Sequence, residues 1–366
     1  MIDDNCLGVL IYQFSFITYR MSIDWQKVER VLVIRLRSIG DTVLATPSLA
    51  ALRRQLPTAQ IDILLEDWVA PLLEGFDTID SVIAVGRSGL ERMRTARQLR
   101  RTKYDVVFNL HGGTTSTLFT RATGARHRVG YANYQYANFY TDLLSSSADF
   151  WGRTPTHSAE QQLALLGFVG IEVEDRPPSR LPIAAEALRS IEQRLANSVL
   201  RIPHSEFVLL HPSTAFVTKQ WPAENFARLA EHLAERGLAA VAVASKSESG
   251  VLDELVTRSN VPVTTFDDLS LPEITALASR AKVFIGNDSG IAHMAAAVGT
   301  PTAVIFGSSN RDHWRPWGDA PSEIVFEEFD CQPCPGYRCE VFGEPRCILN
   351  VNASSVISRV DRLLTS

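Results

Sequence analysis

Residues 31–42 read Val-Leu-Val-Ile-Arg-Leu-Arg-Ser-Ile-Gly-Asp-Thr, and this stretch decides the expected fold. The run 31–36 is apolar and rich in β-branched side chains, which is typical of a strand buried on both faces of a parallel sheet. A tight turn at 38–41 follows, and leucines at helical spacing continue until Pro57, where the helix is expected to stop. The stretch therefore predicts the strand–turn–helix unit from which doubly wound folds are built.

The same alternation continues over most of the chain. Further strands are predicted at 61–65, 82–85 and 104–110, and, after a proline-containing interruption at 177–182, at 207–210, 239–244, 283–285 and 302–306. Strands that alternate with helices indicate a parallel sheet covered on both faces. We expect an α/β protein with two doubly wound, Rossmann-like domains that face each other across a cleft, where ligands bind in such sheets.

The length of 366 residues also favours two domains. We place an N-terminal extension at 1–24, a first domain at 25–180 and a second at 181–350, and we expect 351–366 to be an amphipathic helix that packs back on the first domain. The extension is interpreted as a loosely held arm or as the product of an upstream start codon. Its apolar part is shorter than the ~18 residues that a membrane span needs. Acidic residues precede it, unlike in a signal peptide, so the cytoplasm is the expected compartment.

The charge balance argues against a broad nucleic-acid-binding surface, since Lys+Arg 36 against Asp+Glu 41 gives a net charge of −5. The segment 87–103 is a local exception, because Glu91 is its only acid. Two interpretations of this segment stay open. It is either a solvated helix face or a surface that meets anionic lipid headgroups or a phosphorylated acceptor.

Residues 286–293, Gly-Asn-Asp-Ser-Gly-Ile-Ala-His, follow a predicted strand and open a helix. Amide groups at a helix N-terminus bind phosphate oxygens, and Gly290 lets a ligand approach closely. Asp288 or Ser289 also suits the N-cap position, which is compatible with anion binding. His293 lies one turn into the helix, where a structural and a functional role are both open. The sequence predicts a diphosphate site here.

A second phosphate site is indicated after the strand at 207–210, where Ser213, Thr214 and Lys219 bring hydroxyls and an ammonium group. Lys219 can offset the charge that builds on a departing nucleotide diphosphate. The alternative is that Lys219 is a solvated loop residue.

The first domain offers a candidate base. Asp41, beside Gly40 in the turn after the first strand, can take a proton from an acceptor hydroxyl, although it also suits the cap of the next helix. His111, Gly112 and Gly113 end the strand at 104–110 and indicate close approach of a ligand or a tight turn. The segment 130–153, rich in Tyr, Asn and Ser, is predicted to be a loop region near a site or a surface.

Two nucleotide motifs are missing from the sequence. It lacks G-x-G-x-x-G after the first strand and the P-loop pattern G-x-x-x-x-G-K-[ST]. A dinucleotide-dependent oxidoreductase and a P-loop ATPase are therefore poorly supported.

Four cysteines crowd into one C-terminal segment with the spacing C-x2-C-x4-C-x7-C, at Cys331, Cys334, Cys339 and Cys347. Four neighbouring thiols can bind zinc or an iron–sulfur cluster, although this spacing does not match the usual zinc modules. Reduced thiols on a loop are the alternative, and a disulfide is disfavoured in the cytoplasm.

Together these segments resemble the bacterial heptosyltransferases of glycosyltransferase family 9, over about residues 31–351. The motifs that carry the resemblance are Gly40-Asp41 with Thr46-Pro47, Leu110-His111-Gly112-Gly113, Thr123-Gly124-Ala125 with Arg128-Val129-Gly130-Tyr131, His211-Pro212 through Lys219-Gln220-Trp221-Pro222, Gly286-Asn287-Asp288-Ser289-Gly290 with His293, and the C-terminal cysteines. The resemblance implies a GT-B fold and an inverting, single-displacement transfer. It also implies ADP-L-glycero-D-manno-heptose as donor, and as acceptor the lipopolysaccharide inner core, or a related lipid-linked glycan, at the cytoplasmic face of the inner membrane.

The resemblance assigns roles to residues. Asp41 corresponds to the proposed catalytic base. The donor and phosphate contacts correspond to Ser213, Thr214, Lys219, Asp288, Ser289, Gly290 and His293, and Glu248 is expected to reach the ribose. Gly40, His111, Gly112 and Gly113 are expected on the acceptor side. No cofactor is expected to be required, contact with the membrane would be peripheral, and nucleic acid is not an expected partner.

Three alternatives remain open from the sequence. They are a transferase with another nucleotide sugar or acceptor, a non-catalytic relative that binds nucleotide sugar, and an epimerase on the same two-domain architecture.

Overall fold

Two parallel six-stranded sheets form the core of the structure, a computed structural model that describes residues 23–154, 156–198, 207–334 and 336–365. The first sheet contains β1 (Arg30–Ile34), β2 (Gln60–Glu66), β3 (Ser81–Val85), β4 (Val106–Asn109), β5 (His127–Tyr131) and β6 (Asp142–Leu144). The second contains β7 (Phe207–His211), β8 (Ala239–Val243), β9 (Val263–Phe266), β10 (Phe284–Asn287), β11 (Thr302–Phe306) and β12 (Ser322–Phe326).

The helices connect these strands in chain order. They are α1 (Ile39–Val43), α2 (Thr46–Gln55), α3 (Gly89–Thr102), α4 (Thr114–Thr123), α5 (Ser147–Trp151), α6 (Ser158–Gly167), α7 (Ala185–Ala196), α8 (Ala223–Glu235), α9 (Ser249–Arg258), α10 (Leu271–Arg280), α11 (Gly290–Ala297), α12 (Arg311–Trp314), α13 (Arg346–Leu349) and α14 (Ala353–Thr365).

The strand orders are β3-β2-β1-β4-β5-β6 and β12-β11-β10-β7-β8-β9, so each lobe is a doubly wound sheet. The order reverses between β1 and β4 in the first lobe and between β7 and β10 in the second. Ligands bind beyond the carboxyl ends of the strands at such points. The predicted α/β architecture of two doubly wound domains is confirmed.

The predictions were wrong at the edges of both sheets. Strands β5, β6, β9 and β12 were not predicted, and 130–153, predicted as loop, contains the end of β5, all of β6 and α5. The outer strands β9 and β12 are only partly buried. Strands of this kind lack the continuous apolar run by which buried parallel strands are recognised.

The C-terminal helix α14 packs on the second lobe, so the expectation that it returns to the first lobe is wrong. Its apolar stripe, which includes Val356 and Val360, belongs to a buried cluster with strands β7, β8, β10 and β11. Arg359 also donates a hydrogen bond to Glu323 of β12 at 2.9 Å. The stripe therefore covers the nearest open face of the second sheet.

The N-terminal extension mostly falls outside the described residues, which begin at Ile23. Trp25 lies against the first lobe, where its Nε1 donates to the carbonyl of Val169 at 2.9 Å. Within the described ranges, no helix combines the length and the apolar character that crossing a bilayer needs.

The two lobes meet at the N-termini of α1 and α11. A Cβ atom added at Gly290 would lie 2.7 Å from Ile39 Cβ and 3.0 Å from the backbone nitrogen of Gly40. A Cβ added at Gly40 would lie 2.9 Å from Cδ2 of His293. Glycine is therefore required at both positions for the helices to approach this closely.

A second contact joins the lobes beside the first. Trp317 donates to the carbonyl of Pro177 at 2.9 Å, and its ring stacks on His157 with centroids 4.7 Å apart. His157 Nε2 also bonds the carbonyl of Arg315 at 2.7 Å. Burial lowers the pKa of His157 to about 3, so its ring is neutral and donates this hydrogen bond.

We expect Gly290→Ala to destabilise the protein by about 1–3 kcal/mol, the usual cost of forcing an extra carbon into a packed contact. The matched control is Gly250→Ala in α9, where an added Cβ meets nothing within 4 Å. That change should be neutral or stabilise by up to about 1 kcal/mol, because alanine favours helix. Chemical denaturation measures both, and equal stability of the two variants would contradict the close approach of the lobes.

Candidate active site

A cavity of about 570 Å³ opens between the lobes and is here named the donor cavity. The first lobe contributes Ser38, Ile39, Gly40, Asp41 and Trp68. The second lobe supplies residues from the ends of β7, β8 and β10, among them Thr214, Lys219, Glu248, Asp288, Ser289, Gly290 and His293. Seven of the eight predicted donor-side residues thus line one cavity, and the exception is Ser213.

The N-terminus of α11 faces this cavity. Ser289 is its N-cap residue, yet the Ser289 side chain makes no capping hydrogen bond. Its hydroxyl instead lies 3.2 Å from Nδ1 of His211. The Ser289 side chain therefore leaves the first turn of α11 uncapped, which suits anion binding at this helix end.

Lys219 lines the donor cavity and forms an ion pair with Asp288. Its Nζ donates to Oδ2 of Asp288 at 2.7 Å, and Ser309 donates to the same oxygen. The Asp288 side chain is nearly buried, and that of Lys219 is 18% exposed. A carboxylate repels a diphosphate, so the geometry suits Asp288 to orienting Lys219 more than to binding phosphate directly.

Buried polar groups fix the loop after β7. His211 bridges this loop to α11, because Ser213 Oγ lies 3.3 Å from its Nε2 and Ser289 Oγ lies 3.2 Å from its Nδ1. Burial lowers the pKa of His211 to about 4, so the ring is neutral. Asn287 donates to the carbonyl of Pro212 at 2.9 Å and accepts from Trp221 N. Ser213 is therefore a buried link in the loop, and its hydroxyl does not line the cavity where a phosphate contact was predicted.

The end of the donor cavity beyond β8 is largely apolar and suits a flat nucleoside base. Its lining includes Val243, Ala244, Leu269, Leu271 and Ile274. Glu248 is the acidic residue at this end, and its Oε2 accepts a hydrogen bond from the backbone of Ser245 at 3.3 Å. Glu248, the predicted ribose contact, therefore holds its carboxylate beside the apolar end of the donor cavity.

His293 lies at the floor of the same cavity, against Gly40 of the other lobe. Burial lowers its pKa, and the ring is neutral. Its Nδ1 is buried with no hydrogen-bond partner in the described residues. An unpartnered buried nitrogen is costly, and a bound ligand can satisfy it.

Asp41 belongs to the first turn of α1 and is not its cap residue. Its Oδ1 is ion-paired with Arg35 Nη2, and its Oδ2 accepts a hydrogen bond from Ser38 Oγ at 2.8 Å. Arg35 also donates to the carbonyl of Leu110 at 2.8 Å. The Asp41 carboxylate is thereby held in one orientation while its side chain stays 20% exposed.

A second cavity, of about 370 Å³ and here named the first-lobe cavity, adjoins Asp41. Its lining includes Arg35, His111, Tyr131, Tyr134 and Gln161, together with Ser145, Ser146 and Ser147 from the segment predicted to lie near a site. Asp41 and Trp314 line both cavities. The Asp41 carboxylate therefore stands where the two spaces meet.

The predicted turn His111–Gly113 borders the first-lobe cavity, but Gly112 and Gly113 do not line it. Only His111 is among its lining residues, and burial beside Arg35 lowers the pKa of His111 to about 4. Asn109 accepts hydrogen bonds from the backbone N–H groups of His111 and Gly112, each at 3.0 Å. Gly112 has a φ of +77°, and an added Cβ would collide with the Tyr134 ring, so glycine is required there.

The four C-terminal cysteines do come together. All of them line one small cavity of about 10 Å³, and all are free thiols. Burial and the three neighbouring cysteines raise the pKa of the Cys347 thiol. No group of three His, Cys, Asp or Glu side chains in the described part of the chain is arranged to hold a metal ion. Zinc or iron–sulfur binding there stays a prediction.

The cysteine segment has a structural role that its spacing did not reveal. Cys334 N donates to the carbonyl of Ser308 at 2.9 Å, and Thr218 donates to the carbonyl of Gly336. These bonds lie next in sequence to Lys219 and Ser309, so the segment supports the loops that carry the Lys219–Asp288 pair.

Arg35, Trp68 and Trp314 were missed from the sequence, and His211 was named only within a motif, with no role of its own. Arg35 did carry a signal, because a charged residue inside the apolar run 31–36 is unusual in a buried strand. The two tryptophans carried no such signal in the sequence, because Trp68 and Trp314 reach the cavity only through the packing of the two lobes.

Comparisons with known proteins agree with this geometry. A family model described as glycosyltransferase family 9 (heptosyltransferase) matches residues 92–342. The chain is 26% identical to lipopolysaccharide heptosyltransferase 3 of Escherichia coli (strain K12), over 90% of this chain and 96% of that protein.

Two solved structures share the fold. The glycosyl transferase family 9 protein from Veillonella parvula superposes with a TM-score of 0.80 at 21% identity, covering 92% of this chain and 97% of that one. The E. coli ADP-heptose lps heptosyltransferase II superposes with a TM-score of 0.77 at 20% identity, covering 92% and 98%. The expected GT-B fold is confirmed by these similarities.

Proposed function

The chain belongs to glycosyltransferase family 9, the heptosyltransferase family, and on this premise we propose that it transfers a heptose from ADP-L-glycero-D-manno-heptose to the inner core of lipopolysaccharide or to a related lipid-linked glycan. The observation that carries the proposal is the position of Asp41. Its carboxylate lines both the donor cavity and the first-lobe cavity, which we assign to the acceptor.

Asp41 is the proposed base. The acceptor hydroxyl gives its proton to the Asp41 carboxylate, and the oxygen forms a bond to the anomeric carbon of the heptose. The bond from that carbon to the diphosphate oxygen breaks, and ADP leaves with the electron pair. Attack from the face opposite the leaving group inverts the anomeric centre. The transition state has oxocarbenium character like that of glycoside hydrolysis.

The donor would lie along the second lobe. The adenine fits the apolar end near Leu271 and Ile274, with Glu248 at the ribose. The diphosphate would meet the N-terminus of α11 and the ammonium group of Lys219, which offsets the charge on the departing ADP. Because protein groups neutralise this charge, we propose that transfer requires no metal ion.

The site of action follows from the acceptor. A lipid-linked acceptor and a cytoplasmic nucleotide sugar meet at the inner face of the inner membrane, so we propose that the protein works there as a peripheral protein.

The experiment that tests the function is a donor–acceptor screen in the presence of EDTA, read out by mass spectrometry. We expect a product heavier by one heptose residue with ADP-heptose, and markedly less product with UDP- or GDP-sugars. A product formed only with another nucleotide sugar would replace the proposed donor. Free sugar isomers without transfer would favour an epimerase, and binding without any turnover would favour the non-catalytic alternative.

The Lys219–Asp288 pair gives a second prediction, on ADP affinity. Lys219→Met should weaken ADP binding by roughly 10–100-fold, since hydrogen bonds to charged groups contribute about 1.5–3 kcal/mol. Part of that loss comes from Asp288, left unpaired beside the diphosphate. The double variant Lys219→Met/Asp288→Asn should therefore bind ADP more tightly than Lys219→Met alone. Calorimetry that finds additive losses would contradict the positioning role of Asp288.

A further inference from the structure

We propose that helices α3 and α4 form a surface that docks on an anionic lipid bilayer. This surface, named the α3–α4 face, comprises residues 86–104 and 113–126. The proposal deepens the proposed function and rests on it, because it names the partner that presents a lipid-linked acceptor. Of the two interpretations that the basic segment 87–103 left open, it adopts the surface that meets anionic lipid headgroups.

The α3–α4 face is strongly basic. Its nine basic residues are Arg87, Arg92, Arg94, Arg97, Arg100, Arg101, Lys103, Arg121 and Arg126, and Glu91 is its only acid. The formal charge of the face is therefore +8. Since the whole chain carries −5, the remainder carries −13. Such a distribution orients the protein with this face toward a negative surface.

The basic side chains are not neutralised internally. Arg53, Arg54 and other arginines of the first lobe form ion pairs, but none of the nine basic residues of the face does so within the described ranges. Glu91 is engaged in a capping box, where its Oε2 accepts from Ser88 Oγ at 2.6 Å. The charge of the face is thus directed to solvent.

The exposed side of α3 has an ordered pattern. Leu90, Arg94, Arg97 and Arg101 follow one another at spacings of four, three and four residues, so they lie along one stripe. The opposite side is buried through Thr95 and Leu99. Arginines 94, 97 and 101 line a shallow groove on this stripe.

Apolar side chains accompany the charges. Leu90 is 53% exposed and Met93 45% exposed at the start of α3, and Leu118 of α4 is 54% exposed. Basic residues beside a few exposed apolar ones are the pattern of helices that lie in a membrane interface. At a membrane interface these three side chains would add apolar contact to the electrostatic attraction.

One end of the face, the start of α4, lies next to the first-lobe cavity. Helix α4 begins at Thr114, directly after the turn that carries His111, and His111 lines that cavity. Arg100 of α3 lies directly over Gly124 at the end of α4, so the two helices form one surface. A bilayer held against this surface would therefore lie on the first lobe, next to the turn that carries His111.

The test is flotation of the full chain with vesicles of phosphatidylcholine, with and without phosphatidylglycerol. We expect binding only to the anionic vesicles, and its loss at high salt. The triple variant Arg94→Gln/Arg97→Gln/Arg101→Gln should lower partitioning roughly 100-fold, given the contribution of each basic residue near such a surface. The matched control is Arg189→Gln/Lys282→Gln/Arg338→Gln, three exposed basic residues of the second lobe, and it should bind like wild type.

Transfer assays separate docking from catalysis. With a deacylated, soluble acceptor the α3–α4 variant should turn over like wild type, while with acceptor in anionic vesicles it should be slower. Equal vesicle binding by the variant and the control would overturn the proposed docking surface. Binding that does not depend on phosphatidylglycerol would overturn it as well. Absence of transfer by every form of the protein would instead count against the proposed function, and flotation would still decide the docking surface.

Discussion

The close approach of two helix N-termini is the constraint that holds the two lobes in register. Gly290 packs against the Ile39 side chain and Gly40 against the His293 ring, and the absence of a Cβ at both glycines lets α11 and α1 approach this closely. This contact places the first turn of α1, which carries Asp41, beside the helix end that is suited to a diphosphate. As a result, the Asp41 carboxylate of the first lobe lines the donor cavity, whose other lining residues come mainly from the second lobe. Neither lobe contains the whole site.

Buried polar links keep the donor side in shape. His211, Asn287 and the Asp288–Lys219 pair tie the loop after β7 to the start of α11. Each of these groups is costly to bury alone, and each has its own hydrogen-bond or ion-pair partner. The donor side is therefore preorganised, so that little reorganisation is needed when charge develops on the leaving diphosphate.

Much of this could be predicted from the sequence, for identifiable reasons. The buried strands and the helix starts at α1 and α11 are local patterns, and seven residues that line the donor cavity followed from them and from the family resemblance. The edge strand β12, the docking of α14 and the burial of Ser213 could not be predicted, because they depend on packing between distant segments. The ion pair between Asp288 and Lys219 was not predicted either, because it is visible only in three dimensions.

Asp41 stands at the junction of two cavities, and its assignment as the base is the step on which the proposed transfer depends. It is tested most directly by comparing ADP binding and transfer for Asp41→Asn, with Asp77→Asn, an exposed carboxylate of the same lobe, as control. We expect Asp41→Asn to bind ADP like wild type but to lose transfer by about 10²–10⁴-fold, the usual contribution of a general base. Turnover near the wild-type rate, with Asp77→Asn equally active, would contradict this assignment.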